Sequence, residues 1–428
     1  YGMKAYIYMD EDRIGEYSNF DVALNRFVTV VNAALAEIGK RGITIEASYI
    51  IPNAYYFEGN LAVLQFMAIA QEVEEIWISK VVTHQAAIPG YPVKTIGNVN
   101  TFYQKDYLEA NIEPVDLEIA VVDTGCQQSV IGDAIVGGYD SYSGETLDPE
   151  ECVDGTGAEL SHGTGVGYII NQLNPHADIF SARAIEATGS ERLVEKALNH
   201  VLSVRNNCKV VNLSLGAFHD NCDGKNSQCP LCRMMYSLKQ SGKVPIVASG
   251  NNLYPETTPK FSLMGEYKSM CPSKNGVSVG AGRPLVQGDE YVGSERDFFS
   301  RYGDADVQKP TFSTFGTNIT VVNKDGSSII HSGTSFSAPI VSALVGWLYY
   351  KNLGSITAVL NSLINNSVLK GTYTEETGGI FYPDLYGSSE DSDPIETVGD
   401  DDAIIQESSG GAWPWVLLGV GLVGVGGL

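Results

Sequence analysis

Four apolar runs limit what this chain can fold into. Residues 117–122, 177–185, 210–215 and 244–248 are dense in Ala, Val, Ile and Leu and read as strands buried on both faces. Helical spacing fills the intervals between them, at residues 162–172, 191–204 and 234–240. Strand and helix in alternation give an α/β fold built on a doubly wound parallel sheet. Ligands of such sheets bind outside the carboxyl ends of the strands, so residues that close these runs are the first place to look for chemistry.

The stretch ahead of this sheet follows another rhythm. Residues 4–9 read as a strand, and residues 20–38 place Val22, Leu24, Phe27, Val30, Val31, Ala34, Leu35 and Ile38 at helical spacing, with Gly42 closing the helix. Two β-rich runs, 43–51 and 54–57, meet at Pro52-Asn53. A short helix at 61–70 and a strand at 73–82 complete a β-α-β-β-α-β order, the ferredoxin-like α+β pattern. The expected organisation is a ferredoxin-like domain at 1–85, a Pro- and Gly-containing linker at 86–112, the α/β domain at 113–372, an acidic stalk at 373–410 and an apolar segment at 411–428.

Charge narrows the partners. With 51 acidic against 27 basic residues the net charge is -24, which argues against nucleic acid, since phosphate binding needs clustered Lys and Arg. The sequence opens at Tyr1 without a basic and apolar leader, which implies a removed signal peptide or a truncated sequence. Its last uncharged run contains Trp413 and Trp415 and approaches the length of a membrane span. A carboxyl-terminal membrane anchor and an extracellular or cell-surface location are the expectation. Seven cysteines suit an oxidising compartment, and Cys229-Pro-Leu-Cys232 with Cys222 nearby is expected to be a disulfide-stapled loop rather than a zinc site.

Three motifs supply the parts of an activated serine. Such a nucleophile needs a base to take its proton and a carboxylate to fix the base's tautomer. Asp123 closes the first buried run within Val-Val-Asp-Thr-Gly125. His162 opens a helix as His-Gly-Thr-Gly165, with Ser161 placed to cap it. Ser335 lies in Gly333-Thr-Ser-Phe-Ser-Ala-Pro339, just before an apolar helix expected at 340–350.

In that order the three motifs resemble the subtilisin-like serine proteases, over about residues 117–350. The resemblance implies a serine endopeptidase of polypeptides with Asp123, His162 and Ser335 as its triad and no cofactor for catalysis. It implies that Asn251, in Val247-Ala-Ser-Gly-Asn251, is the oxyanion-hole donor. Ser214, Leu215 and Gly216 are expected to form one wall of the substrate cleft, with Ala248, Ser249 and Gly250 as the other. Structural calcium is a family expectation, for which the acidic residues 140–154 are the candidate. Gly165 and Ile340 stand where many relatives have His.

The amino-terminal domain resembles the inhibitory propeptides of that family, on Ala47-Ser-Tyr-Ile-Ile-Pro-Asn-Ala-Tyr-Tyr56 and Val73-Glu-Glu-Ile-Trp77. The expectation is a zymogen that cuts itself near His84 or Gln85. Aspartic proteases share Asp-Thr-Gly but need two such carboxylates, and no second copy occurs. The rival from another class, an inactive subtilisin fold used for binding, predicts a missing triad member.

Overall fold

A computed structural model describes residues 3–9, 20–37, 42–68, 73–84, 88–89, 113–155, 161–217, 219, 229–251, 276–287, 290–297, 299–301, 310–351 and 379–380. The chain forms two compact units, Tyr1–Gly387 and Ser388–Leu428. The second unit, which holds most of the expected stalk and the apolar segment, lies outside the described residues. Among the described residues no helix is long and apolar enough to cross a membrane.

The amino-terminal layer contains β1 (Met3–Met9), α1 (Phe20–Glu37), β2 (Thr44–Ala47), β3 (Ala54–Gly59), α2 (Leu61–Met67) and β4 (Val73–Ile78). Its sheet runs β2-β3-β1-β4, antiparallel throughout. In β1, residues 5–9 are all buried, because both faces of the strand are covered. Ala5, Ile7 and Met9 pack with Phe57 and Leu64 against α1 and α2. Tyr6 and Tyr8 point the other way, as period-two geometry requires, into a second core.

The expected strand at 73–82 is two strands. Ser79 N–H donates to the Lys4 carbonyl at 2.8 Å, the last bond at that end of the sheet, and the chain then leaves as β5 (Val81–His84). A two-residue strand, β6 (Ile88–Pro89), follows.

The large sheet is built from β7 (Glu118–Asp123), β8 (Ile135–Asp140), β9 (Glu145–Leu147), β10 (Asp178–Arg183), β12 (Cys208–Leu213), β14 (Val244–Ala248), β15 (Val277–Gln287), β16 (Glu290–Arg296), β17 (Phe312–Phe315) and β20 (Gly379–Ile380). Their order is β20-β17-β15-β14-β12-β7-β10-β8-β9, with β16 paired to β15. Every pairing is parallel except those of β9 and β16. Order reverses between β7 and β12, so the crevice lies where Asp123 and Ser214 emerge. Because β20 pairs with β17, the sheet extends past residue 372, where the stalk was expected to begin.

The remaining elements are α3 (His162–Leu173), β11 (Thr188–Ser190), α4 (Glu191–Val204), β13 (Leu215–Gly216), α5 (Pro230–Gln240), β18 (Ile319–Val322), β19 (Ser328–Ser332) and α6 (Thr334–Lys351). Helices α3 and α6 pack together, with α6 lying on β12, β14, β15 and β17. Helices α4 and α5 pack together elsewhere on the sheet, and their Val194, Leu198, Met234 and Leu238 share a core with Tyr6, Tyr8, Tyr56 and Trp77 of the amino-terminal sheet.

Two expectations need correction here. Helix α6 starts at Thr334, not after Pro339, so Ser335 sits in its first turn. Cys126, Cys152, Cys208, Cys229 and Cys232 are buried thiols with no disulfide among them. Cys229 occupies the cap position of α5 and Cys232 lies in its first turn. Burial holds the Cys126 thiol well above its ordinary value and pushes Cys152 to about 11, which keeps both protonated and inert. Cys222 and Cys271 lie outside the described residues.

The loop after β7 and the start of α3 touch through backbone. Gly125 has φ +94°, and a Cβ there would collide with the Val153 carbonyl oxygen. Gly125→Ala should lower stability by about 2 kcal/mol or more, combining overpacking with left-handed strain. Urea midpoints of the substituted and unsubstituted chains, both carrying Ser335→Ala, measure it.

Candidate active site

The Asp-Thr-Gly and His-Gly-Thr motifs are latched by a second carboxylate, that of Asp154. Thr124 Oγ1 donates to Asp154 at 3.0 Å and accepts the Gly163 N–H at 2.8 Å. The other oxygen of Asp154 accepts the Thr164 N–H at 2.9 Å and its hydroxyl at 2.8 Å. Asp154, read from sequence only as a calcium candidate, is thus committed to protein donors. Asp140 is likewise taken by Arg183 and the Tyr142 N–H. Among the described residues no group of three or more His, Cys, Asp or Glu stands ready for a metal ion.

The latch places His162 against Asp123. The two side chains are fully buried, and His162 Nδ1 lies 2.7 Å from Asp123 Oδ1, which also accepts the Thr124 N–H at 2.8 Å. A carboxylate on Nδ1 holds the proton there and leaves Nε2 as the basic nitrogen. Ser161 occupies the cap position of α3, but its hydroxyl accepts the Lys324 N–H at 2.9 Å instead of capping the helix.

Ser335 is brought in by α6. Phe336, the next residue, packs its ring on His162 with centroids 5.7 Å apart. Asn251 joins from the end of β14, its Oδ1 accepting the Thr334 N–H and hydroxyl, each at 2.9 Å. Those two donors fix which end of the amide is oxygen and turn its nitrogen elsewhere. The four residues singled out from sequence therefore share one cluster at the carboxyl ends of the strands.

The residues expected to wall the cleft lie on the two neighbouring strand ends beside Ser335. Ser214 donates to the Ser335 carbonyl at 2.8 Å, and Leu215 and Gly216 form β13. Ala248 closes the neighbouring strand β14, Ser249 and Gly250 follow it, and Gly250 N–H donates to Thr334 Oγ1 at 3.2 Å. The chain's own segment before residue 85 fills the space beside β13. There, β5 pairs antiparallel with β13 on one side, as Leu215↔His84 and Gly216↔Thr83. On its other side β5 pairs with β11, as Thr188↔Thr83, Gly189↔Val82 and Ser190↔Val81. Val82 is fully buried. Four residues on, β6 pairs with β19 as Ser332↔Ile88 and His331↔Pro89, three residues before the serine.

A match to the model of the subtilase family over residues 116–385 spans more than half of the chain. The chain belongs to the subtilase family. This subtilase is 25% identical over 246 residues to subtilisin E of Bacillus subtilis, an alignment covering 55% of the chain and 56% of that protein. It is also 25% identical over 278 residues to the minor extracellular protease Epr of the same organism, covering 64% of the chain and 38% of that protein. The chain thus spans about half the length of the curated subtilisin it matches. In fold it is similar to fervidolysin from Fervidobacterium pennivorans, a keratinolytic enzyme related to subtilisin, with TM-score 0.64 and 15% identity over 90% of this chain and 60% of that one.

His331 is a further group that sequence reasoning passed over. Its ring stacks on Phe336 at 5.9 Å, it is 7% exposed, and neither ring nitrogen has a hydrogen-bond partner. Burial, and the nearby His162, hold its pKa below the ordinary 6.5. Proton uptake is therefore favoured in the unfolded chain, and this group subtracts stability as pH falls through 6.5. In a proton NMR titration of the Ser335→Ala chain, the His331 imidazole should remain mostly neutral at pH 6.5.

Proposed function

We propose that this subtilase is the zymogen of a serine endopeptidase that hydrolyses polypeptides. Asp123 orients His162, His162 takes the proton of Ser335, and Ser335 attacks the scissile carbonyl. The Asn251 amide and the Ser335 N–H hydrogen-bond the resulting oxyanion. Ser214, Leu215 and Gly216 hold the substrate as an added strand opposite Ala248, Ser249 and Gly250. The reading requires no cofactor for catalysis.

The observation that carries this reading is the path of the chain itself. Residues 81–84 lie as the middle strand between β11 and β13, the arrangement a peptide substrate would adopt, and residues 88–89 pair with the strand leading to Ser335. The bond to be cut falls between those two pairings, which supports self-cleavage near His84 or Gln85.

Residues 1–85 act as the inhibitor, a ferredoxin-like prodomain held by α4. The Glu195 carboxylate accepts Tyr6 Oη at 3.0 Å, Tyr49 N–H at 2.8 Å, Ile50 N–H at 3.4 Å and the Ser48 hydroxyl, and pairs with Arg192 at 2.6 Å. One turn back, Glu191 accepts the Lys80 N–H at 3.0 Å and meets His219 at 2.6 Å. The uncharged, apolar composition of residues 411–428 supports a tether there, and the extracellular relative Epr supports work outside the cell.

A fluorophosphonate probe should label the processed chain at Ser335, and Ser335→Ala should abolish both labelling and self-cleavage. Amino-terminal sequencing of the processed chain should start at residue 85 or 86. A cut that persists in Ser335→Ala cannot be autocatalytic. Asn251→Ala should lower kcat roughly 100- to 1,000-fold, as loss of one oxyanion donor does. Glu195→Ala strands the donors of Tyr6, Ser48, Tyr49 and Ile50 and should weaken inhibition by about 2 kcal/mol, or roughly 30-fold in the inhibition constant.

A further inference from the structure

Helix α6 contains a covalent defect directly below the nucleophile. In an α-helix the carbonyl of residue i accepts the N–H of residue i+4. For Ser335 that residue is Pro339, which has no N–H to give. The missing donor comes from another element: the Ser214 hydroxyl reaches the Ser335 carbonyl oxygen at 2.8 Å.

Ser214 is itself held from behind. Asn212 Nδ2 donates to Ser214 Oγ at 3.0 Å, and Ser342 Oγ donates to Asn212 Oδ1 at 3.0 Å. Ser342 lies two turns beyond Ser335 on α6, so the bonds leave the helix, cross β12 and return to the helix. Ser214, Ser335, Asn212 and Ser342 are all fully buried.

Proton counting gives this ring a direction. A serine hydroxyl carries one proton, and an amide donates only from nitrogen. For Ser214 to spend its proton on the Ser335 carbonyl, Asn212 must turn its nitrogen toward Ser214 and its oxygen toward Ser342. The Ser342 hydroxyl also lies 3.1 Å from the Ala338 carbonyl and shares its proton between the two acceptors. An Asp at position 212 could not donate, and it would draw the Ser214 proton off the Ser335 carbonyl.

We propose that Ser214 is a positioning residue for Ser335: its hydroxyl, aimed by Asn212 and Ser342, replaces the helix donor that Pro339 lacks. Holding that carbonyl fixes ψ of Ser335, and with it the direction in which the Cα–Cβ bond presents Oγ to His162. The same residue begins the substrate-binding edge, so peptide docking and nucleophile placement share one anchor. This rests on the serine peptidase reading and adds to it how the serine is held.

The test uses the full chain with Ser214→Ala, Asn212→Asp, Pro339→Ala and the double substitution Ser214→Ala/Pro339→Ala. The readouts are the self-cleavage rate, the rate of fluorophosphonate labelling of the processed chain, and kcat and KM on a peptide. Ser214→Ala should slow self-cleavage and labelling roughly 10- to 100-fold and lower kcat alike, with KM moving less than about threefold, as expected for a misplaced reacting atom. Asn212→Asp should act in the same direction.

Pro339→Ala restores an N–H at the helix position, so the double substitution should recover labelling to within about threefold of Pro339→Ala alone. A merely structural loss at Ser214 would not be rescued in this way. Labelling unchanged in Ser214→Ala, or a double substitution as slow as Ser214→Ala, overturns the proposal. Should Ser214→Ala fail to fold, Asn212→Asp decides it: unchanged labelling overturns it and slowed labelling with unchanged KM supports it. An unsubstituted chain that takes no probe overturns the peptidase reading itself, a different result from any of these.

Discussion

The seat of the amino-terminal layer depends on one carboxylate taken wholly out of water. Glu195 has no exposed surface, and burying an isolated charge costs several kcal/mol unless every lone pair is met. Arg192 meets part of that need from the same helix, and Tyr6, Ser48, Tyr49 and Ile50 meet the rest from the other layer. The Arg192 guanidinium also lies over the rings of Tyr49, at 3.9 Å, and Tyr56, at 4.9 Å. A face built this way suits a partner that must leave. Once separated, Glu191, Arg192 and Glu195 can be hydrated, whereas a wholly apolar face would remain as an exposed patch.

Docking at Glu191 and Glu195 also decides the register of the tail. Ser79 makes the last bond to β1, and Lys80 is already bound to Glu191, so the chain has one residue in which to turn into the cleft. From there β5 is fixed residue by residue between β11 and β13. Side chains alternate along a strand, so a slip of one residue would move Val82 out of the core and bring Val81, now 63% exposed, into it. Register at β5 and pairing at β6 together confine the bond presented to Ser335 to the few residues between them.

Much of this was legible in the sequence, for reasons that differ between parts. The apolar runs at 117–122 and 244–248 foretold β7 and β14 because strands covered on both sides cannot be polar. Asp123, His162, Ser335 and Asn251 could be named because each sits in a local motif, and the fold only had to gather them. What escaped was set by tertiary partners. The run 73–82 looks like one strand because the acceptor that ends it, the Lys4 carbonyl, and the carboxylate that receives the Lys80 N–H are remote in sequence. The helix was expected only from residue 340 because nothing local to Pro339 shows that Ser214, 121 positions before Ser335, serves the carbonyl that the proline strands. Cysteine spacing suggested a staple, but spacing alone does not report that Cys229 and Cys232 remain thiols.

The two sides of the candidate cleavage site are anchored unequally, and this bears on what cleavage achieves. On the amino-terminal side, β5 is continuous with a layer that shares a core with α4 and α5 and is clasped by two buried carboxylates. On the other side, among the described residues, β6 contributes two residues paired to one strand. Cutting between them would remove the covalent link that holds β6 at β19 yet leave β5 tethered to a docked layer at high effective concentration. Under the proposed zymogen reading, self-cleavage alone would free the side of the cleft next to His331 and leave the side lined by Leu215 and Gly216 occupied. On the same reading, activity toward other polypeptides would then depend on a second event, loss of the layer seated on Glu195, whose contacts are groups that water can reclaim.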